Sequence, residues 1–278
     1  PQVLNPASGF IQNCNSTPYR TTLGPENPQP QAFSPTLDIE TKLTNRARRA
    51  LELLGSDPEI TEQEFYTFKY DVAYSQEGDM PRYIQEILAA PLPKDADVQA
   101  ALDLIRVWDM RATSDSTATG LVIWTLQSLG FPEPGEADPL DLAQAFVDTV
   151  NTFKRAHGQV AVPWSEVNRL QRGDLDLGLD GGPDLLHAVV GEQLDGGRLR
   201  GTQGDSYVLL VTWDSSGSVH SRSIHQYGSA TLDETSPHYA DQAPLFVSRQ
   251  LKPVWLDEVE IRAHLEREYR PGEELGNE

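Results

Sequence analysis

The stretch Ser206-Tyr207-Val208-Leu209-Leu210-Val211-Thr212-Trp213-Asp214-Ser215-Ser216-Gly217-Ser218-Val219-His220-Ser221-Arg222-Ser223-Ile224-His225-Gln226-Tyr227 decides the fold class. β-branched and aromatic residues fill both flanks of a short polar turn, which predicts strands over 206–213 and 219–227 with a hairpin loop at 214–217. Gly-rich turns at 173–182, 196–197, 201 and 204 divide the residues before it into further short runs. Upstream the period changes. Ala47, Ala50, Leu51 and Leu54 recur at helical spacing toward Gly55, a residue suited to a C-cap. Helical windows follow at 61–70, 81–90, 95–108, 117–129 and 139–155, with Gly, Pro and Asp at their edges. An amphipathic helix is expected over 257–269, then a charged, disordered tail over 270–278.

The chain opens differently. Val3-Leu4 and Gly9-Phe10-Ile11-Gln12-Asn13-Cys14-Asn15 predict a short apolar strand entering a polar turn. Prolines 18, 25, 28, 30 and 35 then exclude regular helix or central strand, so this part reads as an ordered surface connection. Four segments result: strand and Pro-rich connection over 1–37, helices over 38–157, strands over 158–256, helix and tail over 257–278. No boundary between independent domains is evident. Strands at both ends around a helical middle are expected to pair in one antiparallel sheet, which makes the class α+β.

The 278 residues suffice for a sizeable core. Twenty-two basic against 42 acidic residues leave a formal charge of −20, which repels phosphate and argues against nucleic acid or an anionic membrane as partner. No apolar run reaches the roughly 20 residues of a membrane span. One cysteine, Cys14, excludes an intrachain disulfide and a cysteine-based metal cluster. Residues 1–6 contain no Met, no basic region and no apolar core, so no targeting segment is expected there.

Most short motifs fail on inspection. Residues 173–182 suggest a calcium loop, but counted from Asp176 the twelfth position is His187, where a bidentate Glu is required. His220 and His225 lie an odd number of residues apart on one strand and point to opposite faces, which with His238 gives no zinc set. Neither a phosphate-binding Gly-rich loop nor a Gly-x-Ser-x-Gly elbow occurs, so no cofactor and no metal is expected. Asn13 and Asn15 would share a face if 9–15 were extended. An Asn amide can donate into an oxyanion hole, or it can satisfy a turn's own backbone. Arg46, Arg48 and Arg49 form a charged helix face that only proximity to a substrate would make functional.

Several of these segments resemble, in order, the penicillin acylase family. Asn5-Pro6-Ala7-Ser8-Gly9-Phe10-Ile11-Gln12-Asn13-Cys14-Asn15-Ser16-Thr17-Pro18 is similar to that family's Asn-Pro-x-Ser-Gly segment. Asn45-Arg46-Ala47-Arg48-Arg49-Ala50-Leu51 is similar to the helix carrying its active-site arginine, and Val162-Pro163-Trp164-Ser165-Glu166-Val167 to a Pro-Trp segment. Ser223–Gly228 with Ser236-Pro237-His238-Tyr239-Ala240-Asp241-Gln242 is similar to its closing signature. The likeness extends to about residue 256 and is weakest over 56–155.

The resemblance implies an N-terminal-nucleophile hydrolase with a four-layer αββα core, matured by autocatalytic cleavage into two chains. It implies an N-terminal Ser whose own amine serves as base, and an acyl-enzyme on its hydroxyl. Asn15 would donate to the oxyanion, with Asn13 as the alternative donor, and Arg46 would hold Asn15 in place. Pro1 carries no nucleophilic side chain, so the chain resembles the C-terminal part of the family's β chain, and the nucleophile is expected from a partner acylase chain. Cys14 and Ser16, where penicillin G acylases carry Trp and Asn, point to the acyl-homoserine lactone and aculeacin-type branch. A small-molecule N-acyl substrate and a periplasmic location are implied. Two further readings are a noncatalytic binding or structural module and a general base at the Pro1 secondary amine.

Overall fold

The structure is a computed structural model that describes residues 2–270 and Gly272. The Pro1 amine and residues 273–278 of the expected tail lie outside the described residues.

The Pro-rich connection folds into three short 3-10 turns, Pro18–Arg20, Pro30–Ala32 and Pro35–Leu37, each beginning at the proline whose fixed φ suits a first turn. Helices follow at α1 (Asn45–Ser56), α2 (Glu62–Lys69), α3 (Met80–Ala89), α4 (Ala96–Arg106), α5 (Thr119–Ser128) and α6 (Pro139–His157). Their starts obey local chemistry. Thr44, Asp95 and Asp138 accept from amides of the first turns of α1, α4 and α6, and Thr61 with Glu64 forms a complete capping box on α2. Helix α6 ends where Gly158 takes φ +75°. Helix α5 is buried around almost its whole circumference, with eight of its ten residues enclosed, and runs through the centre of the helical core. Gly120 allows its close crossing with α6, since a Cβ there would lie 3.0 Å from the Phe153 ring.

A single turn, α7 (Trp164–Val167), leads into β1 (Asn168–Arg172), β2 (Leu175–Gly178), β3 (Val189–Leu194) and β4 (Arg198–Gly204). These form one sheet in the order β2-β1-β4-β3, with β1 and β4 parallel and the other pairs antiparallel. The hairpin expected over 206–227 is β5 (Tyr207–Trp213) and β6 (Val219–His225). Helix α8 (Ala243–Val247) and the two-residue β7 (Lys252–Pro253) complete a second, antiparallel sheet in the order β5-β6-β7. The fold is α+β as expected. A second core unites the two sheets through Leu170, Leu179, Val189, Val208, Ile224 and Phe246.

Four expectations are corrected. The strands form two sheets, one of them with a parallel pair, and not the single antiparallel sheet expected, because the opening residues supply no strand and the later strands pair within two groups of their own. Residues 3–15 form no strand, and neither sheet includes them. Among the described residues their one backbone hydrogen bond to a distant segment is the Gln12 amide to the Thr21 carbonyl at 2.8 Å, and Leu4 and Ile11 stand exposed, so no neighbouring strand stabilises an extended ladder. Gly55 is not a C-cap. Helix α1 continues through it to Ser56, and a Cβ at Gly55 would approach Leu23 Cδ1 to 2.5 Å. The last helix, α9 (Glu258–Ala263), stops well short of 269, because Val259 and Ile261 face solvent and pack against no core.

Candidate functional site

The site forms where the opening segment meets the first turn of α1. Thr44 Oγ1 accepts from the Ala47 amide as N-cap and donates to the Cys14 carbonyl at 3.3 Å. The Thr17 amide donates to the Lys42 carbonyl at 3.0 Å, so segment 14–17 is tied to the chain entering α1.

Asn15 adopts φ +52°, a left-handed conformation that Asn tolerates and an extended strand excludes. The shared strand face expected for Asn13 and Asn15 therefore does not exist. Asn13 instead accepts the Asn15 amide on its own Oδ1 at 3.2 Å, the local Asx arrangement. The Asn15 side chain is used differently. Its Oδ1 accepts from Arg46 Nη1 at 3.3 Å, and because an amide carries its acceptor and its donors on opposite arms, the Nδ2 hydrogens face away from the arginine. Sequence motifs thus named two residues that the fold brings into contact across 31 positions.

The neighbouring Arg49 is engaged elsewhere. Arg49 Nε donates to Asp71 Oδ2 at 2.8 Å and its Nη1 to Glu52 at 2.6 Å, a largely buried structural pair. Cys14 is half-buried, and burial pushes its thiol up while the Arg46 guanidinium pulls against it.

One participant carried no motif. Asp184 reaches both Asn45 and Arg46 from a loop 138 residues further along the chain. The loop is shaped by glycine: at Gly181, φ +76°, a Cβ would lie 2.4 Å from the His187 carbonyl. Buried Trp164 donates its indole N–H to the Gly181 carbonyl at 2.7 Å, and Tyr74 donates its hydroxyl to the Pro183 carbonyl at 2.9 Å. The Pro-Trp motif is therefore part of the loop's support. The only hint of Asp184 in the sequence is a Gly-Gly-Pro-Asp turn, and nothing local says where such a turn will dock.

Beneath the loop lies a charged cluster. His187, 1% exposed, has Nδ1 at 3.0 Å from Asp205 Oδ2 and Nε2 at 3.2 Å from Asp180 Oδ1. Lys69 donates to Asp205 at 2.6 Å, and Arg249 pairs with Asp180. Burial alone would raise both carboxyls, but the hydrogen bonds from His187 and the adjacent cations hold them below the usual range.

The residues of the closing signature act as fasteners. Gln242 Oε1 accepts the His225 amide at 3.0 Å, the Gln242 amide donates to the Tyr227 carbonyl at 2.8 Å, and Arg172 lies over the Tyr239 ring at 3.6 Å. His220 and His238 pair with Asp214 and Asp241 on the surface, and Asp176 of the supposed calcium loop is engaged by Arg169 and Arg198. Among the described residues, no group of three or more His, Cys, Asp or Glu is placed to hold a metal ion, and no helix is long and apolar enough to cross a membrane.

A cavity of about 310 Å³ opens beside Asn13 and Cys14, walled by Ile11, Leu54, Phe65 and Leu209. The outer face of β5 is similarly uncovered. Tyr207 and Leu209 are each 48% exposed and Trp213 67%, while Val208 and Leu210 between them are buried.

Over residues 1–263 the chain matches the sequence model of the penicillin amidase family, and it belongs to that family. Among solved structures, the thermostable penicillin G acylase from Alcaligenes faecalis in its orthorhombic form is similar to it. The two are 13% identical with a TM-score of 0.48, over 96% of this chain and 57% of that one. The present chain thus spans little more than half the length of that relative.

Proposed function

We propose that this chain is one part of an amidohydrolase that cleaves the amide of N-acyl compounds through an acyl-enzyme. The N-terminal Ser that attacks is supplied by another acylase chain, and Asn15 Nδ2 donates to the oxyanion of the tetrahedral intermediate. Arg46 holds the Asn15 amide in the donating orientation. The observation that carries this reading is the Arg46 Nη1–Asn15 Oδ1 hydrogen bond, which joins the two motif positions and leaves the Asn15 amide NH₂ available to another acceptor. Family membership supports the reaction class.

The uncovered outer face of edge strand β5 supports assembly with a second chain that completes a four-layer αββα core, in an interface above roughly 2,000 Å². The apolar walls of the cavity beside Asn13 and Cys14 support an apolar acyl group, fatty or aryl. With Cys14 and Ser16 at the branch-typical positions, an acyl-homoserine lactone or a lipopeptide amide is the preferred substrate. The four segments assigned from the sequence are parts of this single chain, and the expected compartment is the periplasm.

Intact mass and N-terminal sequencing of every chain that co-purifies test the assembly, a partner beginning with Ser, Thr or Cys being the expected result. Asn15→Ala should lower kcat of the assembled enzyme by about two to three orders of magnitude with little change in KM. Asn13→Ala should remain near the parent. The reverse pattern moves the oxyanion donor to Asn13.

A further inference from the structure

Asp184 closes a circuit around Arg46. Its backbone is left-handed at φ +54°, a conformation that Asp accepts more readily than most residues. The carboxylate faces the first turn of α1, where Oδ2 accepts the Asn45 amide at 2.7 Å and Oδ1 lies 3.5 Å from the Arg46 amide. Those amides have no partner within the helix, and the positive end of the helix dipole favours an anion there. Asn45 Nδ2 returns a hydrogen bond to the Asp184 carbonyl at 2.9 Å, which locks loop and helix together. The same Oδ1 also accepts from Arg46 Nε at 3.3 Å.

That last bond matters beyond the helix end. A guanidinium is planar and rigid, so holding Nε fixes the direction of Nη1, and Nη1 is the donor that reaches Asn15 Oδ1. An Asn amide without a fixed partner can turn over about its last torsion. One orientation then offers NH₂ to a developing oxyanion, and the other offers a carbonyl oxygen that repels it.

We propose that Asp184 is the positioning residue of this site, acting through Arg46 to keep the Asn15 amide turned with its NH₂ toward the reacting carbonyl. The inference rests on Asn15 being the oxyanion donor. Asp184 itself touches no reacting atom.

The test uses the complete enzyme, this chain assembled with its nucleophile-bearing partner, on fatty-acyl and phenylacetyl p-nitroanilides, with thermal melting measured in parallel. Asp184→Asn keeps the size and the tolerance for positive φ but removes the charge. Its kcat should fall about 10- to 100-fold while KM stays within about two-fold. The double variant Asp184→Asn/Arg46→Ala should be no slower than Arg46→Ala alone, since both act along one path. If Asp184→Asn does not assemble, Asp184→Gly serves under the same criteria, because glycine is at ease at this φ. A lowered Tm with unchanged kcat, or losses that add in the double variant, overturns the positioning role. A fully active Asn15→Ala overturns the donor assignment and this inference with it. Slow Asn15→Ala and Arg46→Ala beside a parent-like Asp184→Asn removes Asp184 alone.

Discussion

Thr44 Oγ1 serves two elements at once, accepting the Ala47 amide as the cap of α1 and donating to the carbonyl of Cys14, the residue before Asn15. The helix start and the placement of the candidate oxyanion donor are thus one structural event. Thr44→Ala should cost about 1 kcal/mol of stability, the usual value of a lost cap, and should also slow turnover by loosening segment 14–17. Thr44→Ser keeps the oxygen and should restore both. Urea unfolding and initial rates on the same preparations check this, and an active, destabilised Thr44→Ala would uncouple the two roles.

The three arginines of α1 should separate cleanly. Arg46→Lys should lower kcat, because a point charge cannot contact Asp184 and Asn15 along two fixed arms. Arg49→Ala should instead lower stability by about 2 kcal/mol, since it removes a charged hydrogen bond from the buried carboxylate of Asp71 and leaves it the Ala73 amide and the more distant Arg111. Arg48→Ala should change neither. Steady-state kinetics with melting curves for the three variants give the comparison, and equal kcat losses at all three would indicate a general effect on the helix.

Stability should depend on acid through the buried cluster around His187. Asp180 and Asp205 titrate below the usual range in the folded chain, so at low pH the unfolded chain binds more protons than the folded one. Their contribution is therefore complete above the ordinary Asp value of about 4 and is lost as pH falls through the lower folded values. Melting followed from pH 7 downward should show a steep loss below about pH 4. Asp205→Asn should flatten that loss while lowering the plateau, because Lys69 loses its carboxylate and His187 one of its two. An unchanged acid limb would exclude the cluster as its source.

The outer face of β5 should decide the behaviour of the chain by itself. With Tyr207, Leu209 and Trp213 uncovered on an edge strand, residues 1–278 expressed without a partner should aggregate and bind an apolar dye. They should hydrolyse no acyl amide. Leu209→Lys with Trp213→Lys should reduce dye binding in the lone chain and weaken assembly in the complete enzyme. A monodisperse, amidase-active preparation of this chain alone would defeat the two-chain reading.

The helical half was legible because its signals are local. The stripe Leu142, Phe146, Val150 and Phe153 repeats within one helix, and the Asp138 and Gly158 caps lie beside it. The hairpin at 207–225 was legible for the same reason, its turn at Asp214–Gly217 lying between two β-rich runs. Residues 3–15 misled because an apolar segment becomes a strand only beside another strand, and composition does not supply one. The short α9 failed likewise: its pattern is amphipathic, but no core receives its apolar residues.

By itself, then, the amino-acid sequence determined the α+β class, most helix ends and the motif positions of Asn15 and Arg46, since propensity, capping and spacing act over a few residues. Only the tertiary structure decided what those positions do to one another. It set Asn15 in a left-handed turn, aimed the Arg46 guanidinium at its carbonyl oxygen, and brought Asp184 to the opposite side of that guanidinium from 138 residues away. Such a meeting depends on the path of the whole chain: glycine at 181 to bend the loop, Trp164 and Tyr74 to anchor it, and α1 to offer unpaired amides where it lands.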